Sequence, residues 1–273
     1  EDYYQVTAFG HVVDSTDWQS YPSRVAANTY RLMDLLARYN TRATFFVLGW
    51  VAERNQALVK DIAQAGHEVA THGYSHTMLT RMTPESFRVE LDRSLAILRD
   101  ATGALILGHR APSFSITPST QWAWPILKEA GICYDSSVFP IHHDRYGVPS
   151  APRLPYEAYP GLWEFPMMTL RFLGRNLPVG GGGYLRFYPL WVTRYALHTC
   201  LAQDHCGVVY VHPWEIDPKQ PHIAAPALTT WRHRVGLGSA MNKLEKLLQE
   251  FRFTTMLDLL EGWQTHAMGG QGM

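Results

Sequence analysis

The sequence predicts an α/β fold, a barrel of alternating strands and helices, on three observations. Apolar runs of strand length alternate with longer segments of helical period from residue 23 onward. The residues able to bind metal or move protons fall where the strand-like runs end, which is where parallel α/β sheets gather their chemistry. A length of 273 residues suits one such barrel better than two domains.

Ser23 is placed to cap a helix that carries Val25, Leu32, Leu35 and Leu36 and ends near Asn40. Ala43 to Leu48 is nearly all apolar, as a strand buried on both faces must be. Val51, Leu58, Val59 and Ile62 mark a second helix, stopped at Gly66, and His67-Glu68-Val69-Ala70 is the next strand. Thr83-Pro84-Glu85 offers a cap, a first-turn proline and an early acid ahead of Phe87, Leu91, Leu95 and Leu98, with Gly103 beyond. Ala104 to Gly108 reads as a strand, Trp122 to Ala130 as a short helix closed by Gly131, and Ile132 to Tyr134 as another strand. From Asp135 to about Phe187 the pattern breaks into prolines, aromatics and the run Gly180-Gly181-Gly182-Gly183, a long decorated loop region in which the glycines are as readily a flexible connector as a cleft wall. Regular structure returns with a helix from about Pro189 to Asp204 and a strand Val208 to Val211. An amphipathic helix follows with Leu244, Leu247, Leu248 and Phe251, and Phe253 to Leu260 closes the chain.

Composition narrows the function classes. Lys and Arg total 24 against 24 Asp and Glu, so no general charge draws the chain to nucleic acid or an anionic membrane. No run of about 18 apolar residues occurs, which excludes a membrane-spanning helix on the sequence pattern. The start, Glu1-Asp2-Tyr3-Tyr4-Gln5, does not have the pattern of a signal peptide, so a cytoplasmic location is expected. Three cysteines, Cys133, Cys200 and Cys206, form no disulfide framework and read as packed or exposed thiols.

The chemistry concentrates in Thr71-His72-Gly73-Tyr74-Ser75-His76. On a helical turn, residues four apart share a face, so two imidazoles would meet one ion, and neutral ring nitrogens suit zinc or a similar divalent metal. Glu1 and Asp2 precede the first helix, Arg110 follows one strand, Asp135 another and His212 a third. Each alone has a bland account: terminal acids are solvated, an arginine is a surface charge, a lone histidine is packed. Their common position at strand ends is what argues for a site.

These segments resemble the polysaccharide deacetylases of carbohydrate esterase family four, and the resemblance covers most of the chain. His72 and His76 look like the metal-binding histidines of the family's second motif. His109-Arg110-Ala111-Pro112-Ser113-Phe114 looks like its third, and Val211-His212 is similar to its last. Glu1-Asp2-Tyr3-Tyr4, Arg110 to Ser115, Tyr134 to Pro140, His212-Pro213-Trp214-Glu215, Arg232 to Gly236 and Phe251 to Met256 resemble a bacterial branch found with exopolysaccharide biosynthesis and exosortase systems.

The resemblance implies a distorted (β/α) barrel with seven or eight strands, an extended loop region and a C-terminal helical extension. One deacetylase domain would span 1-273, with about 220-273 packed on it as the extension. It implies a metal-dependent hydrolase removing N-acetyl groups from N-acetylhexosamine units of a polysaccharide or its precursor. The divalent metal would be zinc first, with cobalt, nickel or manganese as substitutes. The family's first motif supplies two acids and in this branch resembles Asp-Val-Glu-Asp-Tyr, whose last three residues are Glu1-Asp2-Tyr3. Read as adjacent acids, the favoured register, Glu1 is the general base and Asp2 joins His72 and His76 on the metal. Read as acid-x-acid, Glu1 is the ligand and the base is not among these residues. His212 would protonate the leaving amine, Arg110 would pair with the base, and Asp135 would orient His212. Pro112, Tyr184, Trp163 and Trp214 are the expected sugar contacts. Two other readings stay open: an allantoinase-type amidohydrolase acting on another C–N bond, and a non-catalytic carbohydrate-binding protein.

Overall fold

The structure, a computed structural model, describes residues 1–143, 146–203 and 205–269, with 264–269 as backbone only. In chain order its elements are α1 (Val25–Arg38), β1 (Thr44–Val47), α2 (Gly49–Arg54), α3 (Gln56–Gln64), β2 (Glu68–Thr71), α4 (Pro84–Thr102), β3 (Gly108–His109), α5 (Ala123–Glu129) and β4 (Tyr134–Asp135). There follow β5 (Tyr156–Tyr159), β6 (Leu162–Glu164), β7 (Thr169–Phe172), β8 (Arg175–Pro178), α6 (Gly182–Phe187), α7 (Leu190–Leu201), α8 (Ala227–Arg234), α9 (Leu237–Glu250) and α10 (Met256–Gly269).

The main sheet runs β1-β2-β3-β4-β6-β5, parallel throughout except for β5 at the edge, while β7 and β8 pair apart from it as an antiparallel hairpin. Helices α2 to α5 bury Val59, Ile62, Leu91, Leu95 and Leu127 against the sheet, giving the alternating α/β layering that the sequence pattern predicts. Of the expected seven or eight barrel strands, six form ladders in this sheet among the described residues. Val208 to Val211 is extended, but its one bridge, between Gly181 and Tyr210, is too little to count as a strand. This segment comes round to β1, where Val211 packs near Phe45 and Val208 near Phe46. Between them lies an apolar-walled cavity of about 1080 Å³ that includes Glu1, His72, His76 and His212 in its lining.

The region expected as a long loop, Asp135 to Phe187, holds two hairpins and α6 instead. The β7–β8 turn uses Leu173 and Gly174, both at positive φ, which is the backbone a tight hairpin demands. Leucine is a poor sequence signal for such a turn, so the hairpin is hidden in the pattern. The glycine run is likewise no flexible connector. A Cβ on Gly181 would meet the Tyr210 carbonyl oxygen at 2.1 Å and one on Gly182 would meet the Tyr210 ring at 2.9 Å, so only glycine lets α6 start against this segment. Elsewhere the signals hold: Thr83 forms the capping box of α4, and Gly103 ends it in the left-handed conformation. The expected helix end at Asp204 lies outside the described residues.

Candidate metal centre and its acid–base surroundings

His72 and His76 leave β2 in a loop rather than a helix. The loop is pinned by three hydrogen bonds from two helices, α4 and α2. Ser94 Oγ donates to the Gly73 carbonyl at 3.1 Å, the Gly49 amide donates to the same carbonyl at 2.8 Å, and the Trp50 amide donates to Tyr74 O at 3.1 Å. Gly73 (φ 74°) and His76 (φ 56°) turn the backbone back on itself, bringing the two imidazole centroids to 5.2 Å. A left-handed histidine held by its surroundings is the kind of strain that clusters at functional sites.

Glu1 completes the group. Its ligand atoms and those of His72 and His76 lie within 4.8 Å of one another, with Glu1 Oε2 against His76 Nε2. The Nδ1–H of His72 donates to the Arg110 carbonyl oxygen at 2.7 Å, which leaves Nε2 as an unprotonated donor. Burial, with His76 adding to it, pushes the His72 imidazole well below its ordinary range, so it stays neutral. Burial works to raise the Glu1 carboxyl, yet His76 and His212 together hold it well below the usual carboxylate range. One carboxylate and two imidazoles at this spacing fit a divalent ion of the zinc type.

Asp2 is not in that group. Its Oδ2 accepts from the Arg24 amide at 2.7 Å, the Val25 amide at 3.0 Å and Ser23 Oγ at 2.8 Å, so it satisfies the start of α1 from outside the helix. The expected cap, Ser23, is a donor to Asp2 instead. The adjacent-acid register, with Asp2 beside the histidines, is therefore corrected: the neighbouring side chains point opposite ways, and Glu1 is the one facing them.

His212 follows the 208–211 segment and lies across from Glu1, its Nε2 3.6 Å from Glu1 Oε1. Burial lowers the His212 imidazole, but the charges of Glu1 and Glu215 outweigh it and raise it overall. Its Nδ1 and its own backbone N–H both donate to Glu215 Oε2, at 3.0 and 2.9 Å. Trp214 lies parallel to His212, ring centroids 5.5 Å apart, and its indole N–H donates to Glu1 Oε1 at 3.2 Å.

Three other expected roles are corrected. Asp135 does not reach His212; it is fully buried, accepting from His109 Nδ1 at 2.7 Å and Ser137 Oγ at 2.5 Å. Arg110 forms no carboxylate pair among the described residues. Its guanidinium donates to Ser136 O at 2.9 Å and Ser136 Oγ at 2.8 Å and covers the Phe46 ring at 4.2 Å, while its carbonyl serves His72. Of the expected sugar contacts, Trp163 packs near Trp263 away from the cavity, and Pro112 sits under the Gly73 turn. Trp214 is buried and holds Glu1. Tyr184 alone of the four keeps a place on the cavity wall without a part in building the centre.

Sequence reasoning missed Glu215 as a partner of His212, although the pattern His212-Pro213-Trp214-Glu215 carries a signal: a first-turn proline and an acid three residues on make a capping box. It also missed Glu164, fully buried beside Asp135, whose Oε1 accepts from the Ser137 and Val138 amides at 3.1 and 2.9 Å. Burial, with the Asp135 charge adding to it, raises the Glu164 carboxyl well above its ordinary range. The folded state then keeps a proton that the unfolded chain releases above its ordinary carboxyl pKa, so this residue's contribution to stability falls as pH rises from there toward the folded value. Glu164→Gln, neutral at every pH, should raise the melting temperature at pH 8 by about 2–4 °C, the effect of roughly 1 kcal/mol in a chain of this size. The gain should vanish near pH 4, and a pH-independent difference in thermal unfolding would exclude a proton held on Glu164 in the folded state.

Fold and site together define an α/β barrel with a two-histidine, one-carboxylate cluster at the carboxyl ends of its strands. Residues 14–134 match the family model described as polysaccharide deacetylase, and 136–261 match a domain of unknown function, DUF3473. That polysaccharide deacetylase match covers the first half of the chain, and the two matches meet at β4. The peptidoglycan deacetylase of Helicobacter pylori is 34% identical over 114 residues, covering 42% of this chain and 37% of that protein. The chain spans about a third of the length of that relative and less of several others. A Mycobacterium smegmatis structure assigned as a polysaccharide deacetylase superposes with a TM-score of 0.59 at 22% identity, over 95% of this chain and 84% of that one. The PuuE allantoinase superposes at 0.60 and 17%, over 87% and 72%. At these identities both likenesses concern the fold.

Proposed function

We propose that this protein is a metal-dependent deacetylase that hydrolyses the acetamide of N-acetylhexosamine units in a polysaccharide or its precursor. The observation that carries the reading is the convergence of Glu1, His72 and His76 on one point, with His212 facing them across the same cavity. Glu1, His72 and His76 would hold a divalent ion, zinc by the donor set, which when bound would supply a Lewis acid for the acetyl carbonyl and for water. His72 and His76 would hold the ion through unprotonated ring nitrogens and Glu1 would bring one negative charge. His212 Nε2 delivers the proton that the sugar amine needs to leave. Trp214 and the Arg110 carbonyl hold Glu1 and His72 in place, and Tyr184 lines the approach. Glu1 as the ligand favours the acid-x-acid register, in which the family motif places the base two positions before its metal-binding acid. The branch associated with exopolysaccharide synthesis is supported by the segments Arg110 to Ser115 and His212 to Glu215, and the 136–261 match agrees with one deacetylase domain extended at its C-terminal side.

The test is acetate release from N-acetylglucosamine oligomers by zinc-loaded protein, with a chelated control and a version extended by Asp-Val before Glu1. Chelator-sensitive release that is stronger in the extended version is expected. No release from either version, at full metal occupancy and across several N-acetylated polysaccharides, would overturn the reading.

A further inference from the structure

His212 is useful as an acid only if Nε2, not Nδ1, is aimed at the centre. Its orientation is set by residues that lie wholly outside the part of the chain bearing His72 and His76. Glu215 is fully buried in the turn Pro213–Ile216 and accepts twice from His212 through one carboxylate oxygen. Its other oxygen accepts from Arg186 Nε at 2.7 Å. Arg186, itself buried, sits in α6 and spends its remaining donors on the carbonyls that end α8: His233 O at 2.9 Å, Val235 O at 2.5 Å and Arg232 O at 3.4 Å. Gly236 permits this closeness, since a Cβ there would meet the Arg186 carbonyl oxygen at 2.5 Å. The other face of His212 is covered by Trp214, which stacks in turn on His233 at 4.3 Å.

An ionised carboxylate accepts and cannot donate, so Glu215 fixes the proton on Nδ1 and turns Nε2 to Glu1. Arg186 holds the carboxylate ionised despite its burial: burial raises it, but His212 and Arg186 bring it down to about 2. Two elements distant in sequence from His212, α6 and its neighbour α8, thus brace the Glu215 and Trp214 that hold its imidazole.

We infer that Glu215, clamped by Arg186, is the positioning residue of His212, and that the segment 136–261, of unknown role as a family, supplies the acid arm to a metal centre whose histidines belong to the first half. This rests on the deacetylase reading for its kinetic consequence but not for its structural one. Glu215→Gln in the zinc-loaded protein should lower kcat at least about 10-fold with KM and zinc content unchanged. In a His212→Ala background the same change should have no further effect, because a residue acting only through His212 has nothing left to act on. Arg186→Lys should show a smaller loss of the same kind, cancelled in the same way. Equal fold-losses in both backgrounds, or a loss confined to KM or metal content, would overturn the inference. A readout free of activity separates it from the deacetylase reading. The ring-nitrogen NMR shifts of His212 in the neutral form should report Nδ1–H in the unmodified protein and a mixture in Glu215→Gln or Arg186→Lys. An unchanged tautomer in both variants removes Glu215 from this role whatever the substrate proves to be.

Discussion

His72→Ala is expected to leave the protein folded, to strip it of stoichiometric zinc and to lower acetate release by at least about 1,000-fold. The size comes from the several kcal/mol that a metal contributes to a developing charge, at about 1.4 kcal/mol per tenfold in rate. His72 is the member of the trio most completely prepared for binding: it is 7% exposed, held neutral by burial, and its second nitrogen is locked on the Arg110 carbonyl. Removing it leaves one histidine and one carboxylate, too few to retain an ion with open positions for water and substrate. Metal analysis after dialysis, with turnover measured on the same sample, checks this. Full zinc retention with normal turnover would remove His72 from the centre.

His212→Ala should separate the two halves of the site. Zinc content is expected to stay stoichiometric, since His212 is outside the Glu1, His72 and His76 group and meets a different Glu1 oxygen from His76, while turnover drops by about 10²- to 10⁴-fold, the range for losing a general acid. The loss should fall on kcat and be smallest for substrates whose leaving group departs without a proton, such as an activated acetate ester. A metal-replete variant that hydrolyses the acetamide at the unmodified rate would end the assignment of His212 as the acid.

The strand ends are legible in the sequence because strands buried on both faces leave an uninterrupted apolar run, and in a parallel sheet the residues just beyond the carboxyl end of such a run face the site. His72, His76, Arg110 and His212 can all be placed by that rule alone. The carboxylates are not legible. Glu1 and Asp2 differ by one backbone position, and which of them meets the histidines depends on where the first turn of α1 lies, some twenty residues later. Asp135 has the sequence position of a partner for His212, but His109, fully buried on the neighbouring strand, claims it. Glu215 reaches His212 only because Pro213 starts a tight turn. The aromatic residues mislead for another reason: Trp163 and Trp214 are equally large and apolar in sequence, and nothing local says that one packs on a terminal helix while the other braces Glu1.

Asp2 joins two structures that are usually thought of separately. Its carboxylate takes up the free amides at the start of α1, and one peptide unit before it Glu1 faces His72 and His76. The helix start and Glu1 are joined by one peptide unit, so fraying of the first turn is expected to displace Glu1 from the histidines. By reciprocity, any ion that binds through Glu1 stabilises that turn by the same free energy that the turn contributes to holding the ion. Metal affinity and the local order of the start of α1 are therefore expected to fall together in conditions that loosen that turn.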